Sequence, residues 1–153
     1  MIIDPHAHII PESFVENIRK KRFGKAVTIQ KGKPWDTVVA RGKKGGKEFA
    51  LKFPLREDLT NIDVRFKGMK KQGVDLQILS VVAGMTYYSL PVGLNKEISS
   101  AINESLLGLT KEYPDKFRCM AQLPMQDPQA AAKELAQAVK TGHLGAQIGT
   151  NVA

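Results

Sequence analysis

The most chemically suggestive residues in the sequence are two histidines, His6 and His8, near the end of a short apolar segment. Residues two apart on a β-strand project from the same face, so we expect the two imidazoles to converge. Imidazole nitrogens bind zinc at about 2.0–2.1 Å, and the pair therefore predicts half of a metal site. Asp4 shares that face and is expected to support the site. The alternative is a pair of histidines hydrogen-bonded at a strand end without a metal.

The elements that position these histidines alternate between apolar strands and helices. Strands are predicted at residues 1–9, 75–82, 117–123 and 146–149, and helices at residues 11–22, 61–72, 94–113 and 128–141. Gly73 is expected to end the second helix, and Asp127 to cap the last one ahead of Pro128. Near-continuous apolar strands that alternate with helices indicate a parallel sheet covered by helices.

Residues 26–53 do not follow this alternation. Short strands are predicted at residues 27–29, 37–39 and 48–51, and the composition of residues 42–46 indicates a turn. We expect a small β insertion here, outside the main sheet.

The fold class follows from counting these units. Four βα units in 153 residues are half of a closed (β/α)8 barrel, which needs eight strands and typically about 250 residues. We expect the α/β first half of a TIM barrel, with residues 1–153 forming one incomplete domain. An open half barrel exposes sheet edges and apolar faces, so self-association into homo-oligomers is also expected.

Composition restricts the function classes. The net charge of +8 lies in residues 1–76, which hold 17 basic and 9 acidic residues, and this charge is expected to attract anionic metabolites. No nucleic-acid-binding motif accompanies it, so no specific nucleic-acid partner is expected. There is no apolar run long enough to span a membrane and no signal-peptide pattern. With a single cysteine, Cys119, the protein is expected to be cytoplasmic.

Several stretches together resemble one known family. They are Ile3-Asp4-Pro5-His6-Ala7-His8, the run from Gln72 to Ser80, Asn103-Glu104, Tyr113-Pro114-Asp115-Lys116-Phe117, the run from Leu123 to Pro128, and the run from Gln147 to Val152. In this order they are similar to the 2-amino-3-carboxymuconate 6-semialdehyde decarboxylase family of the amidohydrolase superfamily. The likeness covers nearly all of this chain and the N-terminal half of a family member.

The resemblance implies a divalent metal, usually zinc, held by His6 and His8. It also implies that the remaining ligands and the general base lie beyond Ala153, so this chain alone is expected to be inactive. The implied activity is a lyase reaction, the decarboxylation of a small carboxylated metabolite. A hydrolase or hydratase of the same superfamily and a non-catalytic half barrel are the alternatives.

The resemblance also bears on substrate binding. Lys44 aligns with a family lysine that contacts substrate carboxylates, with a solvated turn lysine as the alternative. The family arginine falls on Ala50, and Arg41, Lys47 or Lys52 is expected to replace it.

Met85, Tyr87 and Tyr88 follow the second strand and are expected either to line the pocket or to cover the barrel mouth. Thr150 and Asn151 end the fourth strand and are candidates to line the pocket. His143 lies where strands enter the sheet, where catalytic residues are rare. Cys119 is expected to be a small buried hydrophobic residue.

Overall fold

The computed structural model of the chain describes residues 1–44 and 46–152, except for the side chain of Lys44. The strands are β1 Ile3–Ile9, β2 Val27–Gln30, β3 Thr37–Lys44, β4 Lys47–Pro54, β5 Leu76–Val81 and β6 Phe117–Cys119. The helices are α1 Glu12–Arg19, α2 Glu57–Thr60, α3 Ile62–Gln72, α4 Val92–Glu112 and α5 Pro128–Thr141, with a 3-10 turn at Ala83–Thr86.

The main sheet is parallel, with strand order β1-β5-β6. Helices connect its strands, as the alternation of strands and helices predicted. The predicted fourth strand is reduced to a single parallel bridge between Ala121 and Ala146. That segment is still held against the sheet, because Ala121 N donates to Gly145 O at 2.8 Å and Gln147 N donates to Ala121 O at 2.9 Å. The expected four-strand count is therefore not confirmed.

The two helix ends with predicted cap residues lie as expected: α3 ends before Gly73 and α5 begins after Asp127. The Asn61 side chain caps α3 by accepting from Asp63 N at 2.9 Å and from Val64 N at 3.2 Å. Asp127 caps α5 by accepting from Ala130 N at 3.0 Å, with Pro128 at the first helical position. Each cap satisfies backbone donors that have no partner inside the helix, which is why local sequence fixes these boundaries.

Gly73 and Gly68 provide a matched test of the α3 terminus. Gly73 adopts φ 69°, where a side chain is strained, whereas Gly68 lies inside the helix with open space around its Cα. We expect Gly73→Ala to lower the free energy of unfolding by about 1 kcal/mol. Gly68→Ala should raise it by about 0.5–1 kcal/mol, since alanine is the better helix former. Urea unfolding followed by circular dichroism measures both, and equal shifts of one sign would contradict the assignment.

The core lies between the main sheet and helices α1 and α4. Its fully buried side chains include Ile9, Leu79 and Phe117 from the strands, and Phe14, Ile98, Ile102 and Leu106 from the helices. Burial of each such side chain contributes about 1.5–3 kcal/mol. This layer holds β1 and β5 together and so fixes the residues on their opposite face.

The insertion is a three-stranded antiparallel sheet, β2-β3-β4. Three short strands were predicted here, and each observed strand is longer than its prediction. The predicted turn at residues 42–46 is wrong for residues 42–44, which continue β3 and pair with residues 47–49. The absence of a side chain at Gly42 lets Phe49 and Leu90 pack close to the backbone, because an added Cβ would lie 2.4 Å from the Phe49 ring and 3.1 Å from Leu90. The ring of Phe53 also meets Tyr87 edge-on, with centroids 6.0 Å apart. The insertion therefore packs against the loop that follows β5.

One edge of the main sheet carries exposed apolar side chains. In the part of the chain that the structure describes, β1 has a single neighbour in the sheet; Ile2, just before it, is 56% exposed and Ile3, its first residue, is 44% exposed. The expectation of self-association is in keeping with this edge and stays a prediction. Among the described residues, no helix is long and apolar enough to cross a membrane.

Candidate metal-binding site

The two histidines of β1 converge as their spacing predicted. The Nε2 atoms of His6 and His8 lie 3.0 Å apart, and the rings meet edge-on with centroids 4.7 Å apart. His6 lies at the middle of β1 and His8 next to its last residue, toward the strand end where barrel active sites are found.

This geometry fits two ligands of one metal ion. Two nitrogens that share a tetrahedral ion at ordinary zinc distances lie about 3.3 Å apart, close to the observed separation of the His6 and His8 nitrogens. The same separation fits a hydrogen bond in which one Nε2 carries a proton. Within residues 1–44 and 46–152, no group of three histidine, cysteine or carboxylate side chains is placed to hold a metal. The described residues therefore bring two candidate ligands together at this place, His6 and His8.

His8 is the more constrained member of the pair. Its backbone pairs with Ser80 of β5, and its Nδ1 lies 3.2 Å from Ser80 Oγ. Burial lowers the pKa of His8, and the charge of neighbouring His6 lowers it further. Both effects favour the neutral imidazole, which is the form that binds a metal.

The prediction that Asp4 shares the face of the two histidines is wrong for His8: the register shifts between Asp4 and Ala7, so Asp4 pairs with Gln77 and His8 with Ser80, which lie on opposite faces of β5. Asp4 instead contacts the backbone of His6. One Asp4 oxygen accepts from His6 N at 3.1 Å, and the other accepts from Gln77 Nε2 at 3.0 Å. Arg65 of α3 continues the chain of contacts, donating to Gln77 Oε1 at 2.9 Å and to the carbonyl of His8. Burial lowers the pKa of Arg65. These two hydrogen bonds donated by Arg65 connect α3 to the side chain of Gln77 and to the backbone of β1.

Sequence reasoning did not single out Ser80, Gln77 or Arg65. The only available signal was that Gln77 and Ser80 are polar residues in an otherwise apolar strand. Their roles depend on pairing between β1 and β5, whose partners are about 70 residues apart in the chain.

The residues predicted to bind the substrate lie in the insertion. The side chain of Lys44 lies outside the described part of the chain. Ala50, at the position of the family arginine, pairs directly with Arg41. Arg41 donates to Thr28 Oγ1 at 2.8 Å and lines a hollow of about 440 Å³ on the hairpin. Of the three basic residues expected to replace the family arginine, Arg41 is therefore the one that pairs with Ala50.

The residues after β5 were expected either to line a pocket or to cover the mouth. Met85 and Tyr87 are buried in the core, and burial raises the pKa of Tyr87 well above its usual value. Tyr88 is only partly buried, and its hydroxyl accepts from Gly149 N at 3.1 Å. This loop is therefore partly buried in the core, and through Tyr88 it contacts the segment that contains Thr150 and Asn151.

Gln126 joins the two loops at this end of the sheet. Its Nε2 donates to the carbonyls of Tyr88 at 2.9 Å and Leu90 at 3.1 Å, while its Oε1 accepts from buried Asn95 at 2.7 Å. The loop after β5 and the loop after β6 are therefore fixed to each other and to α4.

The two remaining candidates have structural surroundings. His143 is 4% exposed, its Nδ1 lies 3.1 Å from the Ala138 carbonyl, and burial lowers its pKa. Cys119 is buried, and burial raises the pKa of its thiol to about 11, which keeps it protonated and unreactive.

Comparison with known proteins identifies similar chains. No family model matches the chain. A 2-amino-3-carboxymuconate-6-semialdehyde decarboxylase from Dictyostelium discoideum is 27% identical over 151 residues, which cover 98% of this chain and 40% of that protein. The chain thus spans about two fifths of the length of this relative.

Two solved structures are similar in fold. A dihydroxybenzoic acid decarboxylase from Polaromonas sp., with bound manganese and the inhibitor 2-nitroresorcinol, matches 61% of this chain and 29% of its own, with a TM-score of 0.58 and 35% identity. A 5-carboxyvanillate decarboxylase from Novosphingobium aromaticivorans matches 99% of this chain and 42% of its own, with a TM-score of 0.67. At 17% identity, the second likeness shows the fold alone.

Proposed function

Because this chain is homologous to part of the amidohydrolase-superfamily decarboxylases, we propose that it belongs to a metal-dependent carboxy-lyase acting on a small carboxylated metabolite. The observation that carries the proposal is the convergence of His6 and His8, with Nε2 atoms 3.0 Å apart, at the middle and near the C-terminal end of a parallel strand. The related decarboxylases suggest an aromatic or conjugated acid as the substrate.

The metal is proposed to be divalent, and its identity is left to measurement. Two imidazoles suit zinc, as the sequence suggested, while the Polaromonas relative contains manganese. When bound, such an ion polarises substrate oxygens and lowers the pKa of a bound water. The protein contributes His6 and His8 as ligands, and Asp4 and Ser80 as groups that hold their strand and ring in place.

Recognition of the substrate carboxylate is proposed to involve the insertion. Arg41 sits opposite Ala50, and the packing of β3 against Leu90 brings this sheet to the loop at the barrel mouth. The excess of positive charge in residues 1–76 would also raise the local concentration of an anionic substrate. Lys44 remains a proposed contact from the resemblance.

Turnover by residues 1–153 alone is not expected, because a catalytic zinc site needs three protein ligands and an open position. The described residues supply two of them in one place. The remaining ligands are proposed to come from other parts of the functional protein.

The test is an assay on the polypeptide as its own cell makes it. We expect release of CO2 from a panel of hydroxybenzoates and conjugated dicarboxylates, loss of that activity after chelation, and recovery with added Zn²⁺ or Mn²⁺. Undiminished activity in chelator would contradict the proposal. Hydrolysis or hydration without CO2 release would favour the alternative reactions of the superfamily.

A further inference from the structure

Ser80 is the residue that approaches His8 on the side away from His6. The parallel pairing of β1 and β5 sets residue 80 opposite residue 8, and Ser80 Oγ lies 3.2 Å from His8 Nδ1. Ser80 is only 5% exposed, so bulk water has little access to this side of the ring. The other ring nitrogen, Nε2, faces His6 at 3.0 Å. The two nitrogens of His8 therefore have different partners.

The choice of tautomer decides whether His8 can bind a metal. A neutral imidazole carries one N–H, and the nitrogen without the hydrogen is the one that binds a metal. Binding through Nε2, beside His6, requires the proton on Nδ1. The Ser80 hydroxyl oxygen can accept that proton's hydrogen bond, alongside the backbone groups of Ser80 and Val81 that also interact with His8, and an apolar side chain would remove the hydroxyl acceptor.

We infer that Ser80 is a positioning residue for His8: its hydroxyl accepts from Nδ1–H, which fixes the ring and leaves the Nε2 lone pair directed toward His6. The inference rests on the proposed metal site for its purpose, but the tautomer can be measured without a metal. His6 is exposed, and water can satisfy its Nδ1, so no comparable partner is needed there.

The experiment uses the full 153-residue chain and two variants. Ser80→Ala removes the hydroxyl, and Ser80→Thr retains it at the same position on the strand. Long-range ¹H–¹⁵N spectra of the imidazoles report the tautomer of His8 in the metal-free protein. We expect Nδ1–H in the wild type and in Ser80→Thr, and a mixed or Nε2–H population in Ser80→Ala. Thermal unfolding shows whether each variant remains folded.

Titration with Co²⁺ or Zn²⁺ gives the second readout. Loss of such a contact typically weakens metal binding 10- to 100-fold, and in this half site we expect about tenfold for Ser80→Ala and little change for Ser80→Thr. An Nε2–H tautomer in the wild type, or a tautomer unchanged in folded Ser80→Ala, would overturn the inference. A tautomer that depends on Ser80 in a protein without metal affinity would support the inference and contradict the proposed metal site.

Discussion

Replacing His6 and His8 together by alanine should weaken Zn²⁺ or Co²⁺ binding by the 153-residue chain by at least about 100-fold. The physical reason is that the two Nε2 atoms, 3.0 Å apart, form the one place where imidazole nitrogens converge among the described residues. Isothermal titration calorimetry gives the affinity. The Co²⁺ absorption spectrum independently reports nitrogen coordination.

The third histidine provides the matched control for this experiment. His143 is buried and contacts the Ala138 carbonyl, far from a converging ligand. His143→Gln should therefore keep wild-type metal affinity, provided that the variant remains folded. If the His6/His8 double variant bound as tightly as the wild type, or if His143→Gln lost binding to the same degree while folded, the proposed site would be wrong.

Asn103→Ala should lower the free energy of unfolding by about 2–4 kcal/mol. Asn103 is 4% exposed, and its amide group makes three hydrogen bonds. Its Nδ2 donates to Gln122 O at 3.0 Å and to Glu134 Oε1 at 2.7 Å, while its Oδ1 accepts from Gln122 N at 2.8 Å. Alanine would leave the buried backbone groups of Gln122 without partners, which costs more than the loss of the bonds themselves.

Ser100 supplies the control on the same helix. Its hydroxyl donates to Glu104 at 3.3 Å on the exposed surface, so Ser100→Ala should change stability by no more than about 0.5 kcal/mol. Urea unfolding of both variants gives the comparison. A loss below about 1 kcal/mol for Asn103→Ala would show that water or a rearranged Gln122 replaces the missing contacts.

The sequence alone was sufficient for features whose causes are local. The cap at Asp127 involves a backbone N–H three residues away, and Gly73 ends α3 through its own backbone conformation. The convergence of His6 and His8 follows from the alternation of side chains along a strand. The parallel character of the main sheet followed from the order of apolar strands and helices, because a parallel pair requires a crossover connection.

Features set by partners distant in sequence were decided only by the tertiary structure. Residues 42–44 continue a strand despite their turn-like composition, because they pair with residues 47–49, and the Phe49 ring occupies the space beside Gly42. The sequence did not show which residues after β5 are buried, because Tyr87 contacts Phe53 of the insertion, which is distant in the chain. The placement of Arg41 opposite Ala50 likewise depends on the register of the hairpin.

The candidate site shows the same division. Its ligands, His6 and His8, are two residues apart, and their spacing alone determined that they share a face. The groups that hold His8, the hydroxyl of Ser80 and the guanidinium of Arg65, are 72 and 57 residues away in the chain. The pairing of β1 with β5 brings Ser80 to the histidine, and the packing of α3 brings Arg65 there. Hydrogen bonds over such separations depend on strand register and packing rather than on local spacing.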